Sequence, residues 1–209
     1  MSRIGIQFVA TILTLVAVPL LQSGCRTTGA VPSCCAKPES TAAPASDKSL
    51  YQTESKWMTD TRKQITLADL QGRPQVVVMF FASCQYACPL IVNDLKRIEA
   101  ALKPELRARI GFTLVTFDTR SDTAEVLANY RDSRQLSAKT WTLLRGEPDD
   151  VLELAALLGV KYKADARGQF AHSNIITVLN ARGEIVRQQA GLGQDIKETV
   201  GKLESLLAN

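Results

Sequence analysis

Apolar residues are unevenly distributed along the chain, and from about residue 51 they form short continuous runs that alternate with segments of helical spacing. Residues 76–81 are continuously apolar and rich in valine and phenylalanine, which is typical of a strand buried on both faces of a parallel sheet. A helix is predicted directly after this strand, because Pro89 suits a first helical turn. Its core-facing positions recur at helical spacing and are Ile91, Leu95, Ile98 and Leu102.

The alternation of strands and helices continues to the end of the chain. Further buried strands are predicted at 110–117 and 141–144, and Pro148 opens a helix after the second of them. Asp122 and Glu125 have the spacing of a capping pair, which predicts the start of another helix there. The remaining predicted elements are a short edge strand at 64–67, a hairpin of 174–179 with 184–189, and a last helix over 196–207.

The order of predicted elements is β-α-β-α-β-α, followed by a β-hairpin and a helix. Strands that alternate with helices predict a parallel sheet, and the C-terminal hairpin adds an antiparallel half. This is the plan of thioredoxin with one extra strand and helix inserted. The predicted fold class is therefore α/β, a thioredoxin-like fold with an inserted strand and helix and a C-terminal β-hairpin plus helix.

The N-terminus has the composition of an export signal. Arg3 precedes a short apolar stretch over 8–21, and Gly24 is followed by Cys25. The Gly-Cys pair resembles a bacterial lipoprotein signal, which implies a lipid on Cys25. The alternative is an uncleaved membrane span over 4–21, which is near the lower end of the roughly 17–25 residues that a span needs. Either interpretation places the rest of the chain outside the cytosol, in the bacterial cell envelope and facing the periplasm or exterior.

Composition divides the chain into three segments. Residues 1–25 form the signal segment, 26–50 are rich in Ala, Ser, Thr and Pro and are predicted to be a flexible tether, and 51–209 form one domain. The net charge of +4 is mild, and no basic stripe is interleaved with aromatic residues. Nucleic acid is therefore excluded as a predicted partner.

The chain has five cysteines, which are too few for a disulfide-built scaffold in 209 residues and indicate chemistry instead. Cys84 and Cys88 stand where the strand at 76–81 ends and its helix begins, and ligand sites of parallel sheets lie at the carboxyl ends of strands. The positive end of the helix dipole favours thiolates, so both cysteines are expected to be more acidic than free cysteine. A structural disulfide is the alternative, although it would constrain only one short loop.

Three residues separate the two cysteines, a spacing that permits either a disulfide or two thiolates around one ion. Thiolates are soft ligands that favour Cu(I) or Zn, and two of them leave the site in need of a third ligand. His172 is the single histidine and precedes the predicted hairpin. A lone histidine is more often an ordinary surface or core residue. In the thioredoxin plan, however, the approach to the hairpin lies beside the cysteine loop, which favours His172 as that ligand.

These motifs together resemble a known family. A strand followed by Cys84-x-x-x-Cys88-Pro89 and then a helix, with His172-Ser173 before a hairpin strand, is similar to the Sco/SenC family. The resemblance implies a membrane-tethered copper metallochaperone that binds copper as Cu(I), with Cu(II) as a further candidate. It implies Cys84, Cys88 and His172 as the metal ligands. It also implies a copper-acceptor partner such as a cytochrome c oxidase subunit, whose dinuclear copper centre the family helps to assemble.

Two alternatives remain open at this point. The first is a thiol–disulfide oxidoreductase that keeps the acceptor's cysteines reduced, with Cys84 attacking and Cys88 resolving. The second concerns Cys34 and Cys35 on the predicted tether, which either capture copper, cross-link to another chain or are incidental. A peroxidase is disfavoured, because the Thr and Arg pattern of a peroxidatic cysteine is missing around Cys84.

Overall fold

The computed structural model describes residues 46–166 and 170–208. The predicted signal segment with Cys25, and most of the predicted tether with Cys34 and Cys35, lie outside the described residues. Within the described ranges, no helix combines the length and the apolar character needed to cross a membrane.

The described residues form nine strands and five α-helices. The first half contains β1 (Trp57–Thr59), β2 (Gln64–Ile65), β3 (Gln75–Phe80), α1 (Ala87–Ala101), α2 (Pro104–Arg107), β4 (Gly111–Thr116) and α3 (Ala124–Ser133). The second half contains β5 (Trp141–Gly146), α4 (Pro148–Leu157), β6 (Tyr162–Ala164), β7 (Phe170–His172), β8 (Ile175–Leu179), β9 (Ile185–Ala190) and α5 (Lys197–Ser205). Two short 3₁₀ helices lie at Leu50–Gln52 and Leu67–Leu70.

Seven of the strands form one sheet in the order β2-β1-β5-β4-β3-β8-β9, and β6 pairs with β7 separately. Strands β3, β4 and β5 are parallel, whereas β8 runs antiparallel to β3 and β9 antiparallel to β8. Every residue of β3 and β4 is buried, as the continuous apolar runs predict. The thioredoxin-like plan with its inserted strand and helix is therefore confirmed.

Three short strands are absent from the prediction. β1 lies between β2 and β5, so the predicted edge strand is indeed outermost but is joined to the sheet through β1. Strands β6 and β7 have three residues each and are only partly buried, so their sequences lack the apolar periodicity from which a strand is predicted. The last residue of the β6–β7 hairpin is His172, the candidate ligand predicted from the sequence.

The predicted capping role of Asp122 is wrong. The N-cap of α3 is Thr123, whose hydroxyl accepts a hydrogen bond from the backbone N–H of Val126 at 3.2 Å. Asp122 is instead buried at the carboxyl ends of β3 and β4. The capping pattern misleads here because the carboxylate instead accepts hydrogen bonds from the Ala82 N–H and from the hydroxyl of Thr116.

Candidate metal site

The two cysteines are held by the turn that leads from β3 into α1. The backbone N–H of Cys84 donates to the carbonyl of Phe81 at 3.3 Å, and the N–H of Cys88 donates to Cys84 Sγ at 3.4 Å. Both residues are free thiols and both are buried, with Cys84 7% and Cys88 0% exposed. The sulfur of Cys84 thus lies at the N-terminus of α1, where the sequence predicts it.

The Asp122 side chain holds this turn in place through hydrogen bonds. Its carboxylate accepts a hydrogen bond from the backbone N–H of Ala82 at 2.9 Å and another from the hydroxyl of Thr116, the last residue of β4. Burial raises the pKa of Asp122 above its ordinary value. The carboxylate therefore joins the cysteine turn to the neighbouring strand, a contact that depends on tertiary structure and leaves no signal in the local sequence.

The two thiols differ in acidity. Burial opposes ionisation of Cys84, but the backbone N–H groups of Cys88, Tyr86 and Ala87 and the Cys88 thiol hold its pKa below that of a free cysteine. Burial raises the pKa of Cys88, and the nearby sulfur of Cys84 and carboxylate of Asp122 raise it further. The prediction that both cysteines are acidic is therefore right for Cys84 and wrong for the metal-free state of Cys88.

His172 reaches the cysteines from the β6–β7 hairpin, where it pairs with Tyr162. Its Nδ1 lies 3.1 Å from the carbonyl oxygen of Ser173, which can only accept a hydrogen bond. The proton is therefore assigned to Nδ1, and this leaves the lone pair on Nε2, which lies 3.8 Å from Cys88 Sγ. Metal-binding histidines are commonly oriented in this way by a carbonyl on the other ring nitrogen.

An aromatic cluster surrounds the His172 ring. The ring centroid of Phe117 lies 5.0 Å from that of His172, and Phe81 approaches it edge-on at 6.0 Å. Phe117 also stacks on Tyr162 at 5.1 Å and packs against Phe170 at 4.9 Å. Phe81 and Phe117 each follow directly after a central strand, and that position at the carboxyl ends of β3 and β4 is the signal by which the sequence alone could have identified them.

The side-chain ligand atoms of Cys84, Cys88 and His172 all lie within 4.8 Å of one another. Sulfur and nitrogen ligands bind an ion such as zinc at about 2.0–2.3 Å, so ligand atoms arranged around one ion at trigonal or tetrahedral angles are roughly 3.3–4.0 Å apart. The 3.8 Å distance from Cys88 Sγ to His172 Nε2 already lies in this range, and a contraction of about 1 Å at most brings the remaining distances into it. Two sulfurs and one imidazole nitrogen form a soft donor set that fits Cu(I).

The asymmetry of the thiols predicts their order of reaction. Iodoacetamide should alkylate Cys84 at least about tenfold faster than Cys88, because Cys84 has the lower pKa and is the less completely buried residue. Both cysteines fall in one tryptic peptide, so fragmentation mass spectrometry after timed alkylation of the reduced protein locates the label. A Cys84→Ser variant serves as the control and should lose the fast phase. Equal alkylation rates for Cys84 and Cys88 would contradict the lower pKa assigned to Cys84.

The structure is similar to solved Sco proteins. The structure of Arabidopsis thaliana ScoI with copper bound aligns with a TM-score of 0.65 at 16% identity, over 74% of this chain and 96% of that one. A SCO1/SenC family lipoprotein from Bacillus anthracis aligns with a TM-score of 0.67 at 17% identity, over 73% of this chain and 92% of that one. At these identities the similarity establishes the thioredoxin-like fold.

Sequence comparison identifies the family. A Stutzerimonas stutzeri protein whose name proposes copper binding is 22% identical over 120 residues, which are 56% of this chain and only 57% of that protein. The sequence model of the SCO1/SenC family matches residues 44–208, which is most of the 209-residue chain and contains both cysteines and His172. The chain therefore belongs to the SCO1/SenC family.

Proposed function

We propose that this protein binds copper through Cys84, Cys88 and His172 and delivers it to a copper-requiring protein. The convergence of the three ligand atoms within 4.8 Å at the carboxyl edge of the sheet carries this proposal. Copper is chosen over harder cations because two of the three ligands are sulfurs. The copper-bound structure of the Arabidopsis protein supports the same choice.

The site suits transfer better than permanent storage. Three protein ligands leave coordination positions open to an incoming ligand, and His172 is only half-buried. Cu(I) is the expected form because it prefers thiolates, and the imidazole permits Cu(II) as a second form. An acceptor can therefore replace the ligands one at a time without unfolding the domain.

The proposed acceptor is the dinuclear copper centre of a cytochrome c oxidase, as the family resemblance implies. The protein would reach such a membrane enzyme through its N-terminus, with 1–25 as an export signal, Cys25 carrying lipid, 26–50 as the tether and 51–209 as the copper-binding domain. The related Bacillus anthracis protein is described as a lipoprotein, which supports this arrangement. Radiolabelled palmitate should appear in the wild-type protein and be lost in Cys25→Ser; an unlabelled wild-type protein that still sediments with membranes would contradict the lipid anchor.

Anaerobic titration with Cu(I), against a chromophoric chelator of known affinity, tests the proposed function. The reduced protein should take up one tightly bound equivalent that survives replacement of both Cys34 and Cys35 by serine. Loss of that equivalent in the double variant would place the copper site on the tether and contradict the proposal. A second equivalent that disappears in the double variant would instead show that the tether cysteines add their own site.

A thiol–disulfide reductase is the second candidate, and the contact between Cys88 N–H and Cys84 Sγ favours it. That contact, at 3.4 Å, holds the sulfur of the less buried Cys84 at the Cys88 backbone, and the two sulfurs lie within 4.8 Å of each other, as an attacking and a resolving cysteine require. The two functions differ in their need for His172. Copper delivery requires the imidazole, whereas reduction of a disulfide requires only the thiols, so His172→Ala should separate them.

A further inference from the structure

Three large apolar side chains are exposed around the cysteine turn. Tyr86 stands between the two cysteines and is 85% exposed, the highest value among the large apolar residues of the described ranges. Leu90, four residues later in the first turn of α1, is 53% exposed, and Val126 at the start of α3 is 37% exposed. We call Tyr86, Leu90 and Val126 the apolar rim.

Val126 also borders an open groove of about 490 Å³ between α3 and the cysteine turn. The groove reaches the turn at Ala82 and Ser83 and is mainly apolar, and Asp122, its one ionisable carboxylate, is buried at the base. Exposed apolar surface that borders a functional site on a soluble domain commonly marks a contact with another molecule. The groove and the rim therefore both border the cysteine turn and together form a candidate contact area beside the metal ligands.

A basic surface lies next to His172. Lys161 and Lys163 are both exposed and lie on either side of Tyr162, the residue that pairs with His172. Because side chains alternate along a strand, Lys163 shares the outward face with its partner Ala171, while Tyr162 and His172 share the other face. Asp165 adds one negative charge further along the hairpin, so the strand beside His172 stays net positive.

Copper transfer by ligand exchange demands direct contact at this turn. Cys88 is fully buried, Cys84 nearly so and His172 half-buried, so an incoming ligand reaches the copper only if the acceptor contacts the surface around Cys84 and His172. Tyr86 belongs to that turn, and an acceptor that covers the turn can also contact Leu90 and the groove at Ser83. Burial of such side chains provides binding energy, and tyrosine is enriched among residues that dominate interfaces.

We propose that the apolar rim is the docking surface for the copper-acceptor protein, which presents an apolar segment to the rim and carboxylates to Lys161 and Lys163. This inference rests on the proposed copper delivery and specifies the partner's contact face. A membrane surface is the other class of molecule that suits exposed apolar and basic residues. The acceptor fits better, because a membrane pressed on Tyr86 would close the exit route of the copper.

The test measures the rate of Cu(I) transfer from the loaded full-length protein to the soluble copper-binding domain of the cytochrome c oxidase subunit from the same organism. Tyr86→Ser and Leu90→Asp should each slow transfer on the order of tenfold. Neither variant removes a ligand, so copper affinity should stay at the wild-type value. The matched control is Leu152→Asp on α4, where the leucine is 60% exposed, and it should transfer at the wild-type rate.

The charges are tested in the same assay. Replacing Lys161 and Lys163 together by glutamate should slow copper transfer at low salt. At high salt the difference in rate from the wild-type protein should become smaller, because salt screens the attraction between charges.

Rim variants that transfer copper at the wild-type rate would overturn the inference, as would an equal loss of rate in Leu152→Asp. In a Cys25→Ser background, rim variants that transfer copper normally but lose the sedimentation with phosphatidylglycerol vesicles seen for Cys25→Ser alone would assign the rim to the membrane and overturn the inference too. A wild-type protein that binds copper and transfers none would instead overturn the delivery function itself.

Discussion

Replacing Cys88 with serine is expected to lower Cu(I) affinity by more than about a hundredfold. Loss of a partner outside the coordination shell already costs about 10–100-fold in metal affinity, and removal of a direct ligand should cost more. A serine hydroxyl is a hard ligand that Cu(I) binds poorly, and the fully buried position leaves little room for water to replace the sulfur. Competition titration against a Cu(I) chelator measures the change.

The matched control for this prediction is Cys35→Ser, which removes a cysteine of the predicted tether and should keep the tight equivalent. Circular dichroism should show the same secondary structure for both variants, because serine differs little from cysteine in size. Tight binding in Cys88→Ser, at the wild-type affinity, would contradict the assignment of Cys88 as a ligand.

Replacing His172 with alanine is expected to lower Cu(I) affinity by at least about tenfold and to abolish delivery to an acceptor. The effect should be smaller than that of Cys88→Ser, because both thiolates remain. Stability should fall by only about 1 kcal/mol, since the ring is half-buried and its main contacts are the edges and faces of Phe81 and Phe117. Chelator competition measures the affinity and thermal unfolding of the metal-free protein measures the stability.

Ser173→Ala provides the control beside it. The Ser173 carbonyl that orients the imidazole belongs to the backbone and is retained, so copper affinity should remain close to wild type. If His172→Ala bound and delivered copper normally while disulfide reduction persisted, the imidazole would not be a ligand, and the reductase would become the better description of the function.

The candidate metal site could be predicted from sequence to the extent that it depends on the regular elements. The apolar run that forms β3 and the helical spacing after Pro89 fix the cysteines at the end of a parallel strand. The proximity of His172 came from the thioredoxin plan, and the 3.8 Å distance from His172 Nε2 to Cys88 Sγ agrees with it. Long, strongly patterned elements thus carry enough information to bring distant residues together.

The features that escaped prediction arise from contacts between distant segments. The β6–β7 hairpin that holds His172 is short and partly exposed, so its pairing and not its composition defines it. The opposite pKa shifts of Cys84 and Cys88 depend on which sulfur receives the N–H groups of the helix and which is packed in the core. Asp122 matches a helix-capping pattern in the local sequence, yet its carboxylate accepts hydrogen bonds from the cysteine turn and from β4.

X-ray absorption spectroscopy at the copper edge tests the central claim most directly, because it counts the sulfur and nitrogen atoms bound to the metal. The Cu(I)-loaded protein with Cys34 and Cys35 replaced by serine should show two sulfur ligands and one nitrogen ligand. The nitrogen should disappear in His172→Ala and one sulfur in Cys88→Ser. A ligand environment that is unchanged by both substitutions would contradict a copper site formed by Cys84, Cys88 and His172.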